Sequence, residues 1–175
     1  EGKLSLPDDA IMWDPIEQMW KKVQPGTQAT SKVRFDFKFS NWHNGQKMDM
    51  NDILQSLYFT MEWGIQTDEN DKTFDVEFTP IASQTVQTII GIKLVDEDTI
   101  EVYVDYWHFD KDEIADWAAI WSSMPWEISA AMEQSVIDGK ASFSRSGATN
   151  KNVNWISLII PNDAQMIQSY LNDFS

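Results

Sequence analysis

The chain contains no cysteine. That excludes disulfide staples, a thiolate nucleophile and a Cys-ligated zinc. A chain without cysteine fits a secreted prokaryotic protein as well as a cytosolic one. Histidine is nearly absent too: only His43 and His108 occur, neither has a second His at i+3 or i+4, and there is no H-E-x-x-H. A metal site would have to gather carboxylates from distant segments, so no metal ligand and no cofactor are assigned, and His43 is expected to serve a turn or packing role. Positive charge is scarce, with 13 Lys and Arg against 28 Asp and Glu, a net charge of −15. Nucleic acid and anionic lipid both call for a basic footprint and are excluded as partners. The acid excess is read as a solubility device. The seven glycines are scattered without a G-x-x-x-x-G-K, and Ser146-Gly147 does not sit in a G-x-S-x-G frame. Phosphate-loop chemistry and a nucleophile elbow are therefore absent, and the chain is expected not to be an enzyme. No apolar run is long enough to span a membrane, and the first residues lack the pattern of a signal peptide.

Aromatic residues are abundant: nine Trp, nine Phe and four Tyr. An aromatic core is expected from them. The chain is organised around Lys32 to Trp63. Val33, Phe35, Phe37 and Phe39 alternate with Arg34, Asp36 and Lys38, the period of a half-buried strand. Asn44-Gly45 marks a turn. Asp49 can cap the next helix, with Asp52 as its capping-box partner. Ile53, Leu54, Leu57, Tyr58 and Met61 then form one apolar helical stripe.

The order of these pieces resembles the family-5 extracellular solute-binding proteins of ABC transporters, the group that binds peptides and nickel. His43, Asn44 and Gly45 match the first part of that family's motif, and Asp52, Ile53, Ser56 and Leu57 the second; Met50 and Asp49 replace the usual Ala and Thr. Gly91 to Val102 is similar to the family's hairpin, and Ala141 to Ser144 with Asn154 to Ile156 forms a third, looser match. The resemblance implies part of the first lobe of a type II periplasmic-binding-protein-like fold, with residues 1–175 as a single domain cut from a longer two-lobed protein. It also implies capture of a peptide or similar small solute outside the cell, tethered to the membrane in the full-length protein. The ligand would be delivered to an ABC permease, with the binding protein a monomer. A lone lobe is expected to bind oligopeptides poorly or not at all, because two-lobed receptors desolvate their ligand by closing over it.

Along the rest of the chain, Asp14, Pro15 and Glu17 predict a helix N-terminus carrying Ile16, Met19, Trp20 and Val23. Asp68, Asn70 and Asp71 fail the EF-hand spacing and are read as a solvated loop. Phe74 to Phe78 predicts a short strand ended by Pro80. Thr88 to Tyr106 predicts a β-hairpin with Ile90, Ile92 and Leu94 on one side of its first arm and Asp96-Glu97-Asp98 at its turn. Asp110 predicts a helix with Ile114, Trp117, Ala118 and Trp121 as its stripe, and Pro125 another that Gly139 ends. Residues 140–154 read as loop, Trp155 to Ile160 as a buried strand. A last helix is capped by Asn162 or Asp163 and packs Ile167, Tyr170, Leu171 and Phe174. The expected fold class is α+β, an antiparallel sheet with hairpins covered by helices.

The tryptophans are the one feature that invites a binding site. Trp117 and Trp121 stand at the i, i+4 spacing of a packed helix face, whereas Trp107 and Trp126 remain candidates for ligand contact. A free-standing extracellular carbohydrate-binding or adhesion module is the alternative function. It would present solvent-exposed indoles in a row on one sheet face.

Overall fold

The computed structural model describes residues 3–173. In chain order the elements are β1 (Leu4–Ser5), β2 (Ile11–Asp14), β3 (Met19–Lys22), β4 (Gln28–Ala29), β5 (Ser31–Asp36) and α1 (Met50–Gly64). A short 3-10 turn at Val76–Phe78 leads into α2 (Thr79–Thr88), β6 (Ile89–Leu94), β7 (Thr99–Val104), α3 (Lys111–Ala118) and α4 (Trp126–Ile137). The chain continues through β8 (Ala141–Ser142), α5 (Arg145–Lys151), β9 (Asn154–Trp155) and α6 (Pro161–Asp173). The fold is α+β, with a five-stranded antiparallel sheet in the order β3-β2-β6-β7-β5 flanked by helices.

Cross-strand pairing sorts the sheet into two faces. Val33 opposes Val102, Phe35 opposes Ile100 and Ile92 opposes Val102, while Lys32 opposes Tyr103 and Arg34 opposes Glu101. The aliphatic face meets Ile53, Leu57 and Met61 of α1 and Ala118 of α3. The other face carries the Lys32–Glu101 ion pair at 2.7 Å, with Lys32 also over the Tyr103 ring. Asp49 caps α1, and the capping box with Asp52 is formed. Gly45, at φ 88°, makes the turn that brings β5 back to that cap. Gly64 lets α2 come close, since a Cβ there would lie 2.3 Å from Ala82 Cβ.

Several expectations are corrected. The helix predicted from Asp14 is a hairpin of β2 and β3, in which Trp13 opposes Trp20. Asp14 still accepts the N–H groups of Ile16 and Glu17, but in a turn over residues 15–18. The same side-chain chemistry caps helices and closes Asx turns, so local sequence does not separate them. The strand predicted at Phe74 to Phe78 is a capped 3-10 turn, with Asp75 accepting from Glu77 N–H, and Pro80 opens α2 rather than ending a strand. In β6 a bulge between Ile89 and Gly91 returns Ile89 to the core and leaves Ile90 half-buried and Leu94 exposed. Helix α3 stops at Ala118, so Trp121 is not on its stripe. Residues 140–154, expected to be loop, hold β8 and α5.

The strand expected at Trp155 to Ile160 shrinks to β9, paired in parallel with β8, and Ile159 is 92% exposed. Asp163 does not cap α6 through its own first turn; it accepts the Ser157 N–H and ties the preceding loop to the helix. Phe174 lies outside the described residues. The deeply buried core is also less aromatic than composition suggests. Trp63 is fully buried, but the other large side chains at that depth are mainly Ile92, Ile100, Val102 and Val104.

Candidate functional site

A groove of about 510 Å³ opens between the β2–β3 hairpin, α1 and the start of α4. Its walls are Trp13, Trp20, Tyr58 and Trp126, with Leu54 and the carboxamides of Asn51 and Gln55. The hairpin supplies Trp13 and Trp20 because opposed residues in an antiparallel pair share a face. Helix α1 supplies Asn51, Leu54, Gln55 and Tyr58 from one stripe at i, i+3, i+4 and i+7. The rings brace one another edge to face: Trp13 lies 5.6 Å from Trp20 and 4.6 Å from Tyr58 between centroids.

Behind this wall sit three buried carboxylates, each held by an indole. Asp52 accepts from Trp42 Nε1 at 3.2 Å and from the Trp126 backbone N–H at 2.9 Å. The residue that closes the α1 capping box therefore also positions the first residue of α4, and with it one wall of the groove. Glu62 accepts from Trp13 Nε1 at 2.7 Å, from Gln18 Nε2 at 2.6 Å and from Thr73 Oγ1 at 2.8 Å. Gln18 has a left-handed backbone (φ 50°) unusual for a non-glycine residue, and its bond to Glu62 holds it there. Glu133 of α4 accepts from Trp63 Nε1 at 2.9 Å, Tyr58 Oη at 2.6 Å and Gln55 Nε2 at 2.6 Å.

Glu62 and Glu133 are 2% and 5% exposed, and all of these donors are neutral. Burial pushes the Glu133 carboxyl above the ordinary Glu range against the pull of its three donors, and the nearby Glu62 charge pushes the same way. Burial, then the charge of Glu133, its hydrogen bond and the charge of Glu62, move the Tyr58 hydroxyl far above its usual range. The carboxylates and the Tyr58 proton are thus committed to one another. What faces the groove is ring surface and carboxamide, a wall suited to stacking and hydrogen bonding.

Compared with known proteins, the chain matches no family model and no curated protein.

Trp126, one of the two candidates from sequence, lies in this groove, and Trp107 does not; Trp107 is 60% exposed on the segment after β7. Trp121 is 59% exposed, standing edge-on to Phe35 and Phe37, and Trp155 gives its indole N–H to the Phe143 carbonyl. These three exposed indoles sit on separate segments outside the five-stranded sheet. Sequence spacing does not bring Trp13 and Trp20 together, because Asp14-Pro15-x-Glu17 predicts a helix there. Neither Ile11–Asp14 nor Met19–Lys22 alternates apolar with polar residues, so no strand period marks the hairpin. A second hollow, about 270 Å³, lies on the other side of Gln55 beside Phe59, Met132 and Phe143. His43 is exposed at its turn, and His108 stacks on Tyr106 and Phe109. Among the described residues, no cluster of three or more His, Cys, Asp or Glu could hold a metal ion, and no helix is long and apolar enough to cross a membrane.

Proposed function

We propose that the chain captures a peptide or similar small solute without covalent chemistry, as part of the substrate-binding component of an ABC transporter. It would work outside the cell, extracellular or periplasmic, and hand its ligand to a membrane permease. The observation that carries the capture is the braced groove of Trp13, Trp20, Tyr58 and Trp126 with two carboxamides on its rim. Rigid rings offer contact area at little conformational cost, and amides fix a ligand's orientation. The transporter assignment rests on the residue pattern from Phe35 to Leu57: edge strand, His43-Asn44-Gly45 turn and the helix that opens at the Asp49–Asp52 box.

The test is intrinsic fluorescence. Because the groove is lined within these residues, oligopeptides should, against the expectation for a lone lobe, produce a saturable change in indole emission that Trp126→Ala abolishes while circular dichroism stays unchanged. A response to oligosaccharides and not to peptides would favour the carbohydrate-binding alternative. Cleavage of the added peptide, lost on mutating one Ser, Asp or His, would overturn non-covalent capture.

A further inference from the structure

The groove has a charge character that the capture proposal does not use. Its lining holds no Lys, Arg or His. Asn51 gives one amide hydrogen to Asp49 Oδ2 at 3.4 Å, and Gln55 commits both of its own, to Glu133 and Ser129. Gln55 therefore has only its carbonyl oxygen, an acceptor, to offer a ligand, while Asn51 offers a carbonyl oxygen and one N–H. Two wall rings, Trp13 and Tyr58, donate their polar hydrogens to the buried carboxylates Glu62 and Glu133. Hydrogen bonding to an anion draws negative charge onto a ring and strengthens its attraction for a cation over its face. Among the described residues neither carboxylate has a cationic partner; the donors to both are indole, phenol, amide and hydroxyl groups. The wall is thus acceptor-rich and electron-rich, with two acids behind it lacking a counter-ion, in a chain of net charge −15.

We infer that this groove is a cation–π site for an organic ammonium or guanidinium group, which sits against Trp13, Trp20, Tyr58 and Trp126 and donates to the free carbonyls of Asn51 and Gln55. This rests on the capture reading and narrows it to cationic solutes. The group arrives either as a free amine or as the Lys or Arg side chain of a peptide. A small inorganic cation does not suit the site, because it needs oxygen ligands closing around it and the walls are rings.

The experiment is a fluorescence titration with probes matched in size: basic, neutral and acidic tetrapeptides, free arginine amide, and tetramethylammonium chloride. Basic peptides should bind at least tenfold more tightly than neutral ones, and acidic peptides should give no response. Tetramethylammonium, which cannot donate a hydrogen bond, should compete with them through the rings alone. Arginine amide as tight as the basic tetrapeptide would identify a free amine as the source; a tighter tetrapeptide would identify a peptide side chain. The acidic surface alone would also attract basic peptides, so Trp20→Leu and Trp126→Leu, which leave net charge unchanged, serve as controls. Each should weaken basic-peptide binding about tenfold, followed by calorimetry where emission is lost, with the thermal transition retained. Basic-peptide affinity unchanged in both variants would mean diffuse surface attraction and overturn the site. Equal binding of neutral and basic peptides would overturn the cation preference and leave solute capture standing. No saturable response to any probe would overturn both.

Discussion

Under the sheet, Ile53, Leu57 and Met61 of α1 meet Ile92, Ile100, Val102 and Val104, and none of these buried side chains carries a ring. Two residues further along the same helix, Trp63 enters a second cluster with Ala131, Val136, Ile156 and Ile167, ringed by Phe59, Phe78 and Phe143. There Trp63 stands edge-on to Phe143 at 4.7 Å, and Glu133 is sunk against the indole N–H. One helix thus serves a core held by area and shape, and another in which ring geometry and a shared acceptor also matter. The first kind tolerates volume-conserving apolar swaps. The second is less forgiving, because each buried donor depends on one acceptor and loses its partner when that acceptor is changed.

The largest effect should come from a charge in the aliphatic core. Val102→Asp places an unpaired carboxylate at a fully buried position and should cost about 4 kcal/mol or more, a large part of the stability of an ordinary domain. Loss of a cooperative melt by circular dichroism is the expected outcome. Phe35→Asp, on the half-buried edge strand, should destabilise less than Val102→Asp. Equal melting temperatures for the two variants would erase the distinction between sheet centre and edge.

In the aromatic core, Trp63→Ala removes both the ring and a donor to Glu133, with an expected cost of about 3–5 kcal/mol in denaturant unfolding. Leu57→Ala should fall at about 2–4 kcal/mol. A larger loss for Leu57→Ala than for Trp63→Ala would mean that the aliphatic cluster alone governs stability.

Glu133→Gln keeps the shape but turns an amide N–H₂ toward groups that are all donors, at an expected cost of about 1–3 kcal/mol. Its pH dependence sharpens the contrast. Burial raises the folded pKa of Glu133, so its contribution to stability is fully present below the unfolded pKa and is lost as pH rises through the raised value. The native protein should therefore gain on the Gln variant as pH falls from neutral into the carboxylate range. Carboxylates held low, such as Glu101 beside the Lys32 ammonium and Asp14 bonded to Lys21, act oppositely, losing stability as pH falls through their lowered values. They are common to both proteins and cancel in the difference between the two melting temperatures. A difference that does not change with pH would show that Glu133 does not titrate differently on folding.

The smallest effect should come from Asp49→Ala, about 1 kcal/mol, because the cap belongs to the helix both cores share. A uniform drop in melting temperature, without altered groove fluorescence, is the expected signature.

The two hairpins show what was legible. Residues 88–106 announced themselves by apolar alternation on both sides of Asp96-Glu97-Asp98, and β6 and β7 lie there. Residues 11–22 form the same kind of unit, yet Asp14-Pro15-x-Glu17 matched a helix cap, and the spacing of Ile16, Met19 and Trp20 fitted a helical stripe. The structure leaves Ile16 79% exposed and points Trp20 at Trp13 instead. The C-terminal part was harder still. Leu158, Ile159 and Ile160 look like a buried strand by composition but are exposed, and two-residue strands such as β8 and β9 carry no period to read.

Local pattern by itself determined the edge strand, the Gly45 turn, the capped helix α1, the β6–β7 hairpin and the start of α4. Each is set by interactions within a few residues, or by a period that only one element satisfies. Tertiary structure alone decided the hairpin at Trp13 and Trp20, the burial of Glu62 and Glu133, and the meeting of Trp126 with them in one groove. Hydrogen bonds that hold the two glutamates reach across 44 positions from Gln18 to Glu62 and 78 from Gln55 to Glu133. A carboxylate on a helix is drawn to solvent by default. Only the indole, phenol and amide donors that the fold delivers from elsewhere make its burial tolerable.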